Sequence, residues 1–218
     1  MTYQKKVFLR FVIFMFIVSI FCIKLLPYLK FNGSETAFDQ GEQENRCEMK
    51  RLISTGAGYF LRSQSDFLLF LDKIEMSDPE GINYIELQSL VQGSIDNLEN
   101  AKQEYNCLKD IAASTPYQPD MIEKLKTFDY NAFIKEKGLN AVIFKDLETY
   151  LKKGDIRGMY SRECVEISKI LALLEKVKIL TDAGQFPDLE DLWRLNQAYS
   201  QSLLFGQYAA EVFARINI

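Results

Sequence analysis

The chain has 218 residues, of which 48% are apolar and 26% charged; its net charge is −4 and it contains no histidine. That balance suits one substantial folded domain with a short appendage and lies outside the disordered regime. The missing histidine excludes His-ligated zinc, His-ligated haem, Glu-x-x-His di-iron sites, and Ser–His or Cys–His nucleophile activation.

Charge is unevenly spread. Residues 1–30 hold Lys5, Lys6, Arg10, Lys24 and Lys30 and no acid, which leaves 21 basic against 30 acidic side chains, net −9, for residues 31–218. A body that acidic repels phosphate backbones, so no nucleic-acid partner is expected.

Phe11 to Ile23 is an uncharged run of thirteen residues, and Val7 to Leu29 extends it to 23 if Arg10 and Lys24 snorkel toward the headgroups. A signal peptide is the rival reading, but Lys24, Pro27, Tyr28 and Lys30 stand where a small-x-small cleavage site belongs. Residues 1–30 are therefore expected to be an uncleaved signal anchor, with residues 7–29 in the bilayer. Three basic side chains precede the apolar run and two follow it, which favours a cytoplasmic N-terminus and a periplasmic or extracellular body.

Residues 31–45, rich in Gly, Ser, Asn and acids, read as a polar tether, with Asn32-Gly33-Ser34 a formal glycosylation acceptor. Residues 46–218 form the expected extracytoplasmic domain. A first helix is predicted over about Glu44–Met76, with Ile53, Phe60, Phe67 and Ile74 spaced by sevens. Ser77 to Gly81 stops it. The second runs to about Ser114 on a clean stripe of Tyr84, Leu87, Val91, Ser94, Leu98, Ala101, Tyr105, Leu108 and Ala112.

Pro116 and Pro119 break that pattern. Residues 120–154 read as an insertion of two or three short helices, punctuated by Asp129, Gly138, Asn140 and Gly154. A third long helix, from Asp155 or Ser161 to Ala183, carries Cys164, Ile167, Leu171 and Leu174; Gly184 ends it. Pro187 opens the fourth, with Leu189, Leu192, Asn196, Tyr199, Leu203, Gly206, Ala210 and Phe213 on one stripe. The predicted fold class is all-α: an N-terminal membrane helix, then an antiparallel four-helix-bundle-like domain with a short-helix insertion between its two hairpins. The heptads serve as a bundle core or, where an apolar face is left over, as a coiled-coil contact.

Cys47 lies 32 residues before Pro79 and Cys107 28 after it, so the two fall near one level of an antiparallel pair, where a disulfide is expected if their Cβ atoms face each other. The alternative is buried, inert thiols. Tyr59, Phe60, Phe67, Trp193, Tyr199, Phe205 and Tyr208 are candidates for an apolar pocket or interface, with core packing as the plainer reading. Gly56, Gly58 and Gly206 stand in helical stretches at a cost of about 1 kcal/mol each, which points to close helix approach. Carboxylate pairs such as Glu190/Asp191 and Asp146/Glu148 read as solvated faces. No catalytic, cofactor or metal-binding residue emerges.

Two functions follow from these residues. One is a non-enzymatic accessory or assembly subunit of an envelope complex, whose partners are other membrane or envelope proteins or a second copy of itself. The other is a sensor-like module holding a small apolar or aromatic ligand between helices. In architecture it resembles the extracytoplasmic four-helix sensor domains of bacterial receptors, although no second apolar run follows here.

Overall fold

The computed structural model describes residues 40–76, 83–114, 119–138 and 141–216. The anchor expected over residues 7–29 and the Asn32 acceptor lie outside these. Among the described residues there are seven helices and no strand: α1 (Gln40–Met76), α2 (Tyr84–Ser114), α3 (Pro119–Thr127), α4 (Tyr130–Lys137), α5 (Ala141–Lys153), α6 (Ile156–Asp182) and α7 (Leu189–Ile216). No described helix is long and apolar enough to cross a membrane. Because α1 begins at Gln40, the end of the stretch expected to be a polar tether is helical.

Helix ends follow local chemistry. The Asp129 carboxylate accepts from the Ala132 backbone N–H at 2.9 Å, and the Asp155 carboxylate accepts from that of Gly158 at 2.7 Å, so each satisfies an orphan donor at a helix start. Gly154 (φ +65°) and Gly184 (φ +69°) adopt the left-handed conformation that closes α5 and α6. After α6, Gln185 N–H reaches Leu180 O at 2.8 Å and Gly184 N–H reaches Thr181 O at 3.0 Å, the paired hydrogen bonds of a Schellman cap. Proline stands at the first position of α3, where its missing N–H costs nothing.

α1 and α2 run antiparallel in close contact. Across the pair Arg51 meets Glu104, Ser63 meets Ser94 and Lys73 meets Glu86. Each serine hydroxyl donates to the other residue's carbonyl, at 2.7 and 3.0 Å, an exchange that requires small side chains and close backbones. Gly56 serves the same approach, because an added Cβ would collide with the Tyr105 ring. Gly58 and Gly206 face open space, so close helix approach explains only the first of the three glycines.

α2 packs along α6, and α6 along α7. α7 meets α1 through large rings: Tyr199 stacks on Phe67 at 5.5 Å and lies edge-on to Phe60 at 5.6 Å. The short helices dock on α7 through α5, and their rings form a chain in which Phe128 meets Tyr130 and Phe133, while Phe144 joins Tyr130, Phe133 and Tyr208. All seven helices contribute to one apolar core cluster.

Two predicted stripes hold in part. On α6 the buried face is Ile156, Met159, Glu163, Cys164, Ile167, Ile170, Leu174, Val177 and Thr181, with Leu171 only partly covered. On α7 Leu189 is exposed, the stripe holds through Leu192, Asn196, Tyr199 and Leu203, and then burial widens to Phe205, Tyr208, Ala209 and Val212 beside the predicted Phe213, while Gly206 is exposed. A straight helix drifts about 20° per heptad against a 3.5 repeat, and α5 covers an additional side of α7 there.

Candidate functional site

The seven aromatic candidates do not converge. Phe60, Phe67 and Tyr199 form one buried group between α1 and α7. Phe205 is buried beneath the Arg162 guanidinium, 4.0 Å from its ring centre, and Tyr208 packs on Phe144. Tyr59 is half-buried, with Arg62 5.6 Å above its ring. Trp193 stands 62% exposed.

Polar side chains reach into the α1–α7 seam. Ser63 donates its only hydroxyl proton to Ser94 O, so in its 2.5 Å contact with Tyr199 the phenol is the donor. Burial pushes the Tyr199 pKa up, against the lowering effect of the Ser63 bond. Gln64, one residue on, is 1% exposed, and neither its amide oxygen nor its amide nitrogen has a hydrogen-bond partner. Asn196, three residues before Tyr199, is also buried with its Oδ1 unpartnered.

A second polar group joins α5, α6 and α7. The Ser202 hydroxyl donates to Glu163 Oε2 at 2.5 Å, and Arg162 Nη1 donates to Glu163 Oε1 at 2.6 Å. Arg162 Nε meanwhile donates to Asp146 Oδ2 at 2.8 Å. Burial raises the Glu163 pKa to about 7, because desolvation outweighs the Ser202 bond and the Arg162 charge. Burial alone would lower the Arg162 pKa, but Glu163 and Asp146 reverse this and raise it. A carboxyl titrating near neutrality suits acid–base chemistry. Here both oxygens are engaged by the chain's own side chains, and the group sits beside the packed Tyr105–Tyr160 rings, 5.1 Å apart. The arrangement fastens helices together.

Sequence reasoning missed Glu163, although its signal was present: an acid stands between Met159 and Ile167 on a stripe otherwise apolar there. Asp146, read as part of a solvated pair, turns out to hold Arg162. Cys47 and Cys107 are both exposed free thiols. Arg51, one turn after Cys47, lies 3.7 Å from Glu104, one turn before Cys107, so the two cysteines lie near the same level of the antiparallel α1–α2 pair. Cys164 is buried, its thiol facing Asn106 Oδ1 at 3.6 Å, and burial pushes its pKa up.

Among the described residues, no three His, Cys, Asp or Glu side chains gather closely enough to hold a metal ion. No protein-family model, no curated protein and no solved structure matches this chain.

Proposed function

We propose that the chain is a non-enzymatic, membrane-anchored accessory or assembly subunit of an envelope complex, acting through the outer faces of its helical body. In this reading residues 7–29 form the anchor, and α1, α2, α6 and α7 make an antiparallel four-helix bundle with α3–α5 as its insertion. The body lies in the periplasm or outside the cell. The observation that supports it best is the use made of Tyr199. The ring that would line an interior pocket is wholly buried between Phe60 and Phe67, with its hydroxyl satisfied by Ser63. With those rings committed to packing, recognition falls to the outside.

The test is purification of the full chain from its native membrane in mild detergent, beside a chain lacking residues 1–30. Stoichiometric partners with both forms support an accessory subunit whose binding surface is on the body. A lone monomer or homodimer in both preparations overturns that reading.

One observation favours the ligand-binding alternative: the amide of Gln64, next in the chain to Ser63, and the Oδ1 of Asn196, one turn before Tyr199, are both buried without a partner. A small ligand carrying both an amide-like polar group and an apolar body would satisfy them. Under that reading Gln64→Leu abolishes ligand-induced thermal stabilisation. If no ligand binds, the same substitution is neutral or stabilising, since it removes a buried amide with no partner.

A further inference from the structure

Eight large apolar side chains are exposed among the described residues, and they are unevenly placed. Ile85 (78% exposed) lies in the first turn of α2, Ile179 (67%) in the last turn of α6, and Leu189 (81%) and Trp193 (62%) in the first two turns of α7. Phe186, in the α6–α7 turn, joins them, its ring 6.0 Å from that of Tyr84. Ser63 on α1 and Tyr199 on α7 are bonded across the seam; Leu69 lies as many residues beyond Ser63 as Trp193 lies before Tyr199, which puts Leu69 and Trp193 at one level. Only Val142 and Val165 lie elsewhere.

These elements meet at the end of the body where α1 finishes and α2 begins. Lys73 joins α1 to α2, Gln88 Nε2 reaches Thr181 O on α6, and Lys176 pairs with Asp191 on α7 at 2.6 Å. The start of α1, where the chain emerges from residues 1–39, is at the opposite end.

Charge distinguishes the occupants this end can accept. The described residues among 69–90 and 176–194 together carry seven acidic and four basic side chains, net −3. All four bases are already paired: Lys73 with Glu86, Lys176 with Asp191, Lys178 with Asp182 and Arg194 with Glu190. The surplus is therefore acid: Asp72 and Glu75 in the last turns of α1 and Asp188 in the α6–α7 turn, the same stretches that carry Leu69 and Phe186. A second copy docking end to end would set −3 against −3, and an anionic bilayer would be repelled in the same way.

We infer that this end docks a basic amphipathic segment of another protein, which lays apolar side chains on Ile179, Leu189 and Trp193 and sets Lys or Arg against the acidic rim. Exposed tryptophan is among the residue types that most often dominate such contacts. The inference rests on the accessory-subunit reading, because it supplies that reading with a surface and a partner chemistry.

Trp193 is the only tryptophan in the chain, so its fluorescence reports on this surface alone. The experiment titrates the full chain, held in nanodiscs of zwitterionic lipid, with a short Leu/Lys amphipathic helical peptide that lacks tryptophan. A saturable blue shift is expected, weakening as salt is raised. The Leu189→Ser/Ile179→Ser chain should bind at least about tenfold more weakly, with Val165→Ser unchanged. An equal shift with a Leu/Glu peptide overturns the inference, as does binding that ignores the Leu189 and Ile179 changes. So does a blue shift produced by phosphatidylglycerol vesicles or by protein concentration alone. A red shift on deleting residues 1–39 also overturns it, since the chain's own basic apolar segment would then be the occupant. In native-membrane purification, full retention of partners by the Leu189→Ser/Ile179→Ser chain overturns this surface and leaves the accessory reading standing. Absence of any partner from the wild-type chain overturns both.

Discussion

Glu163→Gln keeps the shape of the side chain and removes its charge from the interior. The amide can accept from Arg162 through its oxygen and donate to Ser202 through its nitrogen, so the packing of α6 on α7 should survive. Arg162 retains Asp146 as an ionic partner. Glu163 titrates at about 7 in the folded chain against 4.5 for the free group, with burial the main cause. At 1.36 kcal/mol per pKa unit, that difference amounts to about 3 kcal/mol. The sign follows from the raised folded-state value. The stability linked to binding this proton is fully present below the unfolded pKa and is lost as pH rises through about 7. The wild-type chain should therefore lose up to about 3 kcal/mol relative to Glu163→Gln between about pH 4.5 and about pH 7, and the gap should stay constant above that window. Urea unfolding of both chains in the same detergent, followed by far-ultraviolet circular dichroism at several pH values, measures the gap directly. Depressed carboxylates such as Glu48 and Glu136, each held down by hydrogen bonding to an arginine, act equally in both chains and cancel. Parallel stability curves would refute the reasoning, for Glu163 would then remain ionised against Arg162 throughout.

Gly56→Ala should destabilise the chain by about 1–3 kcal/mol in the same unfolding assay, because the new methyl group meets the buried Tyr105 ring. Gly58→Ala, with open space around it, should instead stabilise by about 0.5–1 kcal/mol through helix propensity; equal effects at the two positions would remove the proposed role of Tyr105. Tyr199→Phe should cost about 1 kcal/mol, since Ser63 retains its bond to Ser94 O and loses only the phenol donor. Under native, reducing conditions an alkylating reagent followed by mass spectrometry should modify Cys47 and Cys107 and spare Cys164 until urea is added. A Cys47–Cys107 bridge in protein taken from its membrane without reductant would appear as the loss of both labels together.

Much of the architecture was legible because its signals are local. The α2 stripe from Leu87 to Leu108 is buried as its three-four spacing implies, apart from Tyr84 and Ala112 at its ends. Asp129, Gly138, Gly154, Asp155 and Gly184 mark helix ends through hydrogen bonds and backbone angles that involve only neighbours within a few residues. Among the described prolines Pro119 opens α3, and Pro187 is offset by two residues from α7, where Asp188 stands at the helix start. Among the described residues, the long helices, their ends and the all-α class were thus determined by the sequence alone.

What the sequence could not decide is which helix each face meets. Periodicity defines an apolar stripe to within some tens of degrees, whereas burial also depends on what lies across from it. The second half of α7 illustrates this: Phe205, Tyr208 and Ala209 are buried, and the predicted Gly206 is exposed, because α5 packs on α7 there. Glu163 and Asp146 look like ordinary acids in one dimension, and only the arrival of Arg162 and Ser202 joins the buried Glu163 and the exposed Asp146 into one polar group. Trp193 and Leu189 carry the same helical spacing as buried neighbours, yet the tertiary structure leaves them in solvent while Tyr199, further along the same helix, is wholly enclosed. Local chemistry settles where a helix begins and ends; its surroundings are set by contacts between residues far apart in the chain, which no single stretch of sequence contains.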